Sequence, residues 1–119
     1  MFSPQLLNHF EHPRNSGTVS DPDASVQLQN PACGDVLRLT LKVAAGRITD
    51  IRFLAKGCVP SIACASALTE LVLGNTIADA RAIERAQLVD AVGGLPPASS
   101  HASRLALDAL HAALDQLPG

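Results

Sequence analysis

Hydrophobic and polar positions change their spacing partway along the chain. Leu37, Leu39, Leu41 and Val43 are apolar, and Arg38, Thr40 and Lys42 between them are polar. A period of two sends alternate side chains to opposite faces, so this run, beginning at Val36, predicts a half-buried strand. A second alternating run follows, with Ile51, Phe53 and Ala55 set against Asp50, Arg52 and Lys56. The connection Ala44-Ala45-Gly46-Arg47 is short and carries a glycine that absorbs positive φ, which predicts an antiparallel hairpin. Val26 to Asn30 alternates more weakly and reads as an edge strand.

Beyond Gly57-Cys58-Val59 the period lengthens. Pro60 suits the first turn of a helix, and Ile62, Ala65, Leu68, Thr69, Leu71 and Val72 recur at helical spacing until Gly74-Asn75 closes the run. Thr76 and Asp79 resemble a capping box and open another helix, and the helical pattern continues from Ile83 to Val92. Gly93-Gly94-Leu95-Pro96-Pro97 punctuates the chain. A last helix from about Ser99 to Leu117 carries Leu107, Leu110, Leu114 and Leu117 on one face, filled in by alanines. At the other end, Ser3 as N-cap and Pro4 behind it predict a helix over residues 3–12, which Pro13 ends, and residues 14–25 read as a loop. The order helix, strands, helices predicts an α+β fold: a small antiparallel sheet of about three strands with helices packed on one face. The 119 residues show no internal repeat or linker and read as one domain.

Composition narrows the function classes. Aromatic residues make up 3% of the chain, and the formal net charge is −2, so neither a base-stacking surface nor a basic nucleic-acid footprint is expected. The first residues lack the apolar core of a signal peptide and no stretch is built to span a bilayer, so the expected location is the cytoplasm, without a membrane partner. Three cysteines, an odd number, read there as thiol or metal chemistry rather than a disulfide framework.

The reactive side chains lie in breaks between elements: Cys33-Gly34-Asp35 before the first hairpin strand, Gly57-Cys58 after the second, and Ser100-His101-Ala102 near the start of the last helix. In an antiparallel pair the start of one strand lies beside the end of the next, so Cys33, Asp35 and Cys58 are expected at one end of the sheet. The partial positive charge of a helix N-terminus favours a thiolate, the form that binds metal, and Cys58 stands just before one. Cys33, Cys58, Asp35 and a neutral His101 together offer two sulfurs, an oxygen and a nitrogen, which suits tetrahedral zinc or an iron–sulfur cluster. Each has a plainer reading: Cys33 as a small apolar residue, Asp35 as a turn residue, His101 as an ordinary helix residue and Cys64 as part of the core of its Ala-rich helix. His9, His12 and His111 read as surface residues.

Together these positions resemble the iron–sulfur cluster scaffold family of the IscU/NifU N-terminal type. The matching words are His9-x-x-His12-Pro13-Arg14-Asn15-x-Gly17, Pro31-Ala32-Cys33-Gly34-Asp35, Gly57-Cys58, Ser66-x-x-Thr69-Glu70, Gly74-Asn75-Thr76, Leu95-Pro96-Pro97 and His101-x-Ser103-x-Leu105-Ala106. They run in family order across almost the whole chain. The resemblance implies a scaffold or carrier rather than a turnover enzyme. Such a protein accepts sulfur from a cysteine desulfurase, combines it with iron, and passes a labile [2Fe-2S] cluster to apo-protein targets; zinc often takes the same site. Cys33, Asp35, Cys58 and His101 are the ligands it implies, with Asp35 as a harder, weaker donor that helps release.

The chain departs from the family at two places. The family's third cysteine, directly after the late His, is replaced by Ala102, which cannot ligate metal. Cys64, about one turn into its helix, is the candidate substitute ligand. After Leu95-Pro96-Pro97 stands Ala98-Ser99, without the lysine of the branch in which a dedicated chaperone docks, which puts that docking in doubt. Two further readings stay open: a zinc-site sulfur acceptor that stimulates a cysteine desulfurase, and a degenerate member that binds partners without building a cluster. With two first-rank thiols per chain, a cluster bridging two subunits of a homo-oligomer is also open.

Overall fold

The two alternating runs pair as expected. In the computed structural model, which describes residues 1–31 and 34–118, β2 (Val36–Ala44) and β3 (Arg47–Lys56) form an antiparallel hairpin. Its turn residues Ala45 and Gly46 both take positive φ, 53° and 77°, the combination whose twist matches two paired strands. β1 (Ala24–Gln29) adds to the far edge of β2, giving a three-stranded sheet in the order β1-β2-β3. The weak edge strand therefore starts earlier than its sequence pattern indicates, because Ala24 is buried against the core while Ser25 and Gln27 pair on the outer side.

β3 also starts earlier than its alternation suggests. Ile48 and Ile51 are both fully buried, yet three positions separate them, which breaks a period of two. The register supplies the reason: Lys42 pairs with Asp50 and Val43 with Ile48, so Thr49 is bulged out of the ladder. One extra residue returns Ile48 to the core face.

Leu37, Leu39, Leu41, Ile48, Ile51 and Phe53 line that face. Two long helices cover it: α2 (Val59–Val72) lies against β3, and α5 (Ser100–Asp115) against β1 and β2. Their buried positions are rich in alanine, including Ala63, Ala67, Ala106 and Ala113, which lets the helices come close to each other and to the sheet. Between them run two short helices, α3 (Ile77–Arg81), capped by the Thr76 hydroxyl, and α4 (Arg85–Ala91), where Glu84 and Gln87 form a capping box; one turn of 3-10 helix (Pro97–Ser99) leads into α5. The helical run after Gly74 is thus broken at Ala82–Glu84, where a second cap restarts it.

α1 (Pro4–Glu11) packs on α2. Residues after it pair along the free edge of β3: the Phe53 N–H donates to the Asn15 carbonyl and the Gly17 N–H to the Phe53 carbonyl. The chain then crosses the outer face of the sheet, where the Val19 N–H donates to Thr40 Oγ1 at 2.9 Å, and enters β1. No helix of the described residues is long and apolar enough to cross a membrane.

Candidate metal centre

The hairpin register builds one half of the site. Val36 pairs with Lys56, so the residue before β2 and the residues after β3 leave the sheet side by side. Asp35, 3% exposed, lies against Gly57-Cys58. Gly57 has φ +145°, and a Cβ there would lie 2.1 Å from Asp35 Oδ1, so both the backbone conformation and the carboxylate demand glycine.

Cys58 is the N-cap of α2, although its sulfur caps no backbone N–H. A remote carboxylate serves this helix end instead. The Cys58 N–H donates to Asp35 Oδ1 at 3.2 Å, and the Ser61 hydroxyl, at the third helical residue, donates to Asp35 Oδ2 at 2.5 Å. In a local capping box a side chain of the third helical residue would reach back to the cap N–H; here a carboxylate from another part of the chain takes that N–H and adds its charge where the helix dipole favours an anion.

α5 supplies the third group. His101 Nε2 lies 3.5 Å from Asp35 Oδ2 and 3.7 Å from Cys58 Sγ, and the Cys58 thiol donates to Asp35 Oδ2 at 3.2 Å. One ligand atom each from Asp35, Cys58 and His101 therefore falls within 4.8 Å of the other two. The carboxylate is buried and the imidazole about one-third exposed, so the site has a closed floor and an open mouth. A soft sulfur, a borderline nitrogen and a hard oxygen converging in this space form a donor set that zinc or iron accepts.

The expected residues fare differently. Asp35, Cys58 and His101 meet. Cys33 lies outside the described residues. Cys64, read both as a core residue of its helix and as a candidate substitute ligand, is fully buried and is not part of the donor cluster found among the described residues. Burial first, and the Cys58 sulfur second, against the opposing pull of Arg85, push its thiol up to about 12, so it stays protonated at neutral pH. Ala102, at the position of the family's third cysteine, is buried in the core. Ser61 was not among the expected site residues; its signal was the Cys58-x-x-Ser61 spacing, which places the two at the cap and the third helical residue.

His9 is not a surface residue. It is 7% exposed, with Nδ1 2.8 Å from Ser66 Oγ and Nε2 3.5 Å from Glu70 Oε1. The Arg14 N–H also donates to Ser66 Oγ, at 2.9 Å, and Asn15 Nδ2 donates to Thr69 Oγ1 at 3.1 Å. Two of the sequence words, His9 to Asn15 and Ser66 to Glu70, are the two sides of one dock between α1 with its following loop and α2.

Known proteins agree with this architecture. The sequence profile of the family described as "NifU-like N terminal domain" matches residues 1–119. The chain is 42% identical over 114 residues to "Iron-sulfur cluster assembly scaffold protein IscU 1" of Archaeoglobus fulgidus, covering 96% of this chain and 74% of that protein. It is 40% identical over 117 residues to "Iron-sulfur cluster assembly scaffold protein IscU" of Buchnera aphidicola subsp. Schizaphis graminum, covering 95% and 91%. Among solved structures, a putative iron–sulfur cluster assembly scaffold protein for the SUF system from Fervidobacterium islandicum AW-1 superposes with a TM-score of 0.81 at 18% identity, covering 95% of this chain and 96% of that one; it shows the fold alone. By profile and by relatives that span nearly its whole length, the chain belongs to the IscU/NifU N-terminal family.

Proposed function

We propose that this protein is an iron–sulfur cluster assembly scaffold, which binds iron and sulfide as a labile [2Fe-2S] cluster at Cys33, Asp35, Cys58 and His101 and passes it to apo-proteins. The observation that carries this reading is the convergence of Asp35, Cys58 and His101, drawn from three separate elements, within 4.8 Å. Cys33, two residues before Asp35 in the chain, completes four protein ligands. Four ligands fill a zinc tetrahedron or the outer positions of a two-iron cluster, so the set needs no thiol at position 102. Zn2+ is the metal expected there when no cluster is present.

Each group has a role. The two thiolates hold the cargo most strongly. Asp35 is a weaker, harder donor and limits how tightly a cluster is kept. His101, about one-third exposed, is a ligand that an acceptor's thiolate can reach from solvent. Sulfur comes from a cysteine desulfurase and the cargo leaves to apo-targets, so the protein carries out no turnover of its own. The sequence after Leu95-Pro96-Pro97 lacks the lysine of the chaperone-docking branch, which puts that docking in doubt, and the lability of the site is the feature that supports transfer.

The test is anaerobic reconstitution with ferric iron and sulfide, followed by visible absorption and acid-labile sulfide analysis. The wild type should develop cluster absorption, Cys58→Ala and Cys33→Ala should each lose most of it, and the loaded protein should transfer its cluster to an apo-ferredoxin. A colourless wild-type protein holding neither iron nor sulfide overturns the reading.

A further inference from the structure

We propose that Ser61 is the positioning residue of the donor set: its hydroxyl holds the Asp35 carboxylate in the orientation in which one oxygen faces the Cys58 sulfur and the His101 nitrogen. The inference deepens the metal-site reading above and rests on it. Ser61 is 6% exposed, and its Oγ lies 2.5 Å from Asp35 Oδ2 and 3.2 Å from Cys58 Sγ. The other carboxylate oxygen, Oδ1, accepts the Cys58 backbone N–H at 3.2 Å. With one oxygen tied to the helix cap and the other to the third helical residue, the carboxylate cannot turn about its Cβ–Cγ bond. Oδ2 is thereby kept 3.2 Å from Sγ and 3.5 Å from Nε2. Removing the hydroxyl takes away the shortest of these contacts to Oδ2 and loosens the placement of that oxygen relative to Sγ and Nε2.

A structural role would predict something else. The Ser61 backbone N–H is satisfied by the Cys58 carbonyl at 3.1 Å, so the side chain is not needed to close the helix end. Serine is a poorer helix former than alanine. A hydroxyl that served only the fold would, when removed, cost stability through its lost bond to the buried carboxylate and leave the metal affinity and spectrum of the folded protein unchanged. Loss of a group that orients a metal-binding side chain typically lowers metal affinity ~10–100-fold.

The experiment measures Zn2+ affinity by chelator competition, the Co2+ absorption spectrum and the thermal midpoint of the wild type, Ser61→Ala and Ser61→Thr. Ser61→Ala should bind Zn2+ ~10–100-fold more weakly, with an altered Co2+ ligand-field band in a protein that stays folded at the assay temperature, its midpoint lowered by the loss of one buried hydrogen bond. Ser61→Thr keeps the hydroxyl and should recover most of the affinity and the wild-type Co2+ band. Wild-type affinity and spectrum in Ser61→Ala overturn the inference alone. A Ser61→Ala protein that fails to fold overturns it as well, since the hydroxyl would then serve the fold. A wild type that takes up neither Zn2+ nor Co2+ overturns the metal-site reading and this inference with it.

Discussion

Gly57 shows how closely single positions are set by a neighbour distant in sequence. Its φ of +145° is costly for any other residue, and its missing Cβ leaves the space that Asp35 Oδ1 fills. Gly57→Ala should therefore lower stability by ~1–3 kcal/mol through backbone strain and displace Asp35 from the donor set. Urea unfolding should show the lower midpoint, and chelator competition should show Zn2+ binding weakened beyond what the fraction folded explains. The glycine is visible in the sequence beside Cys58, but its reason is not, because the atom that excludes a side chain belongs to Asp35. The identity of the donors is similarly readable from Cys58, Asp35 and His101, whereas the part played by Ser61 depends on a 2.5 Å contact between residues far apart in the chain.

At the scale of elements, the dock between α1 and α2 makes stability depend on pH. Burial, and secondarily the nearby Arg14 guanidinium, lower the pKa of His9 below its ordinary 6.5, against the opposing pull of Glu70. Neutral His9 also suits its contacts: Nδ1 can accept the Ser66 hydroxyl while that oxygen accepts the Arg14 N–H. Above pH 6.5 the ring is neutral in both folded and unfolded chains. As pH falls through 6.5 the unfolded chain takes up the proton first, so folded-state stability is lost progressively until pH reaches the lowered folded-state pKa. Urea melts at pH 7.5 and 5.5 should show a larger loss on acidification for wild type than for His9→Gln, which cannot titrate. Equal losses would remove His9 as the cause. The same dock explains why His9 is misread from sequence: an isolated helix pattern places it beside polar residues, and only the packing of α1 on α2 buries it.

At the scale of the whole molecule, the alternation in β2 divides substitutions by face. Leu39 is fully buried between the sheet and its helices, and Leu39→Ala should cost ~2–5 kcal/mol. Arg38, one position away, faces solvent on the outer side, and Arg38→Ala should change stability by less than about 0.5 kcal/mol. Chemical denaturation of the two variants checks the assignment of faces directly; similar losses would mean that the strand is buried on both sides. The bulge at Thr49 limits how far this pattern can be read, since the sequence alternation fails between Ile48 and Ile51 while the burial does not.

What the sequence by itself determined is local periodicity and punctuation: the hairpin, the change to helical spacing after Cys58, the breaks at Gly74 and Gly93, and from their order the α+β architecture. These follow because strand and helix patterns are written in neighbouring residues. The tertiary structure decided which breaks meet. It brought His101 from α5 to Asp35 and Cys58, and withdrew Cys64 into the core although it lies in the helix that Cys58 caps. It also joined Ser61 to a carboxylate from before β2. Those outcomes depend on helix rotation and on the approach of α2 and α5 across the sheet, which are set by the packing of their alanine faces against side chains on β1, β2 and β3. A metal site needs donors within a few ångströms, and that distance is fixed by packing between elements rather than by spacing along the chain.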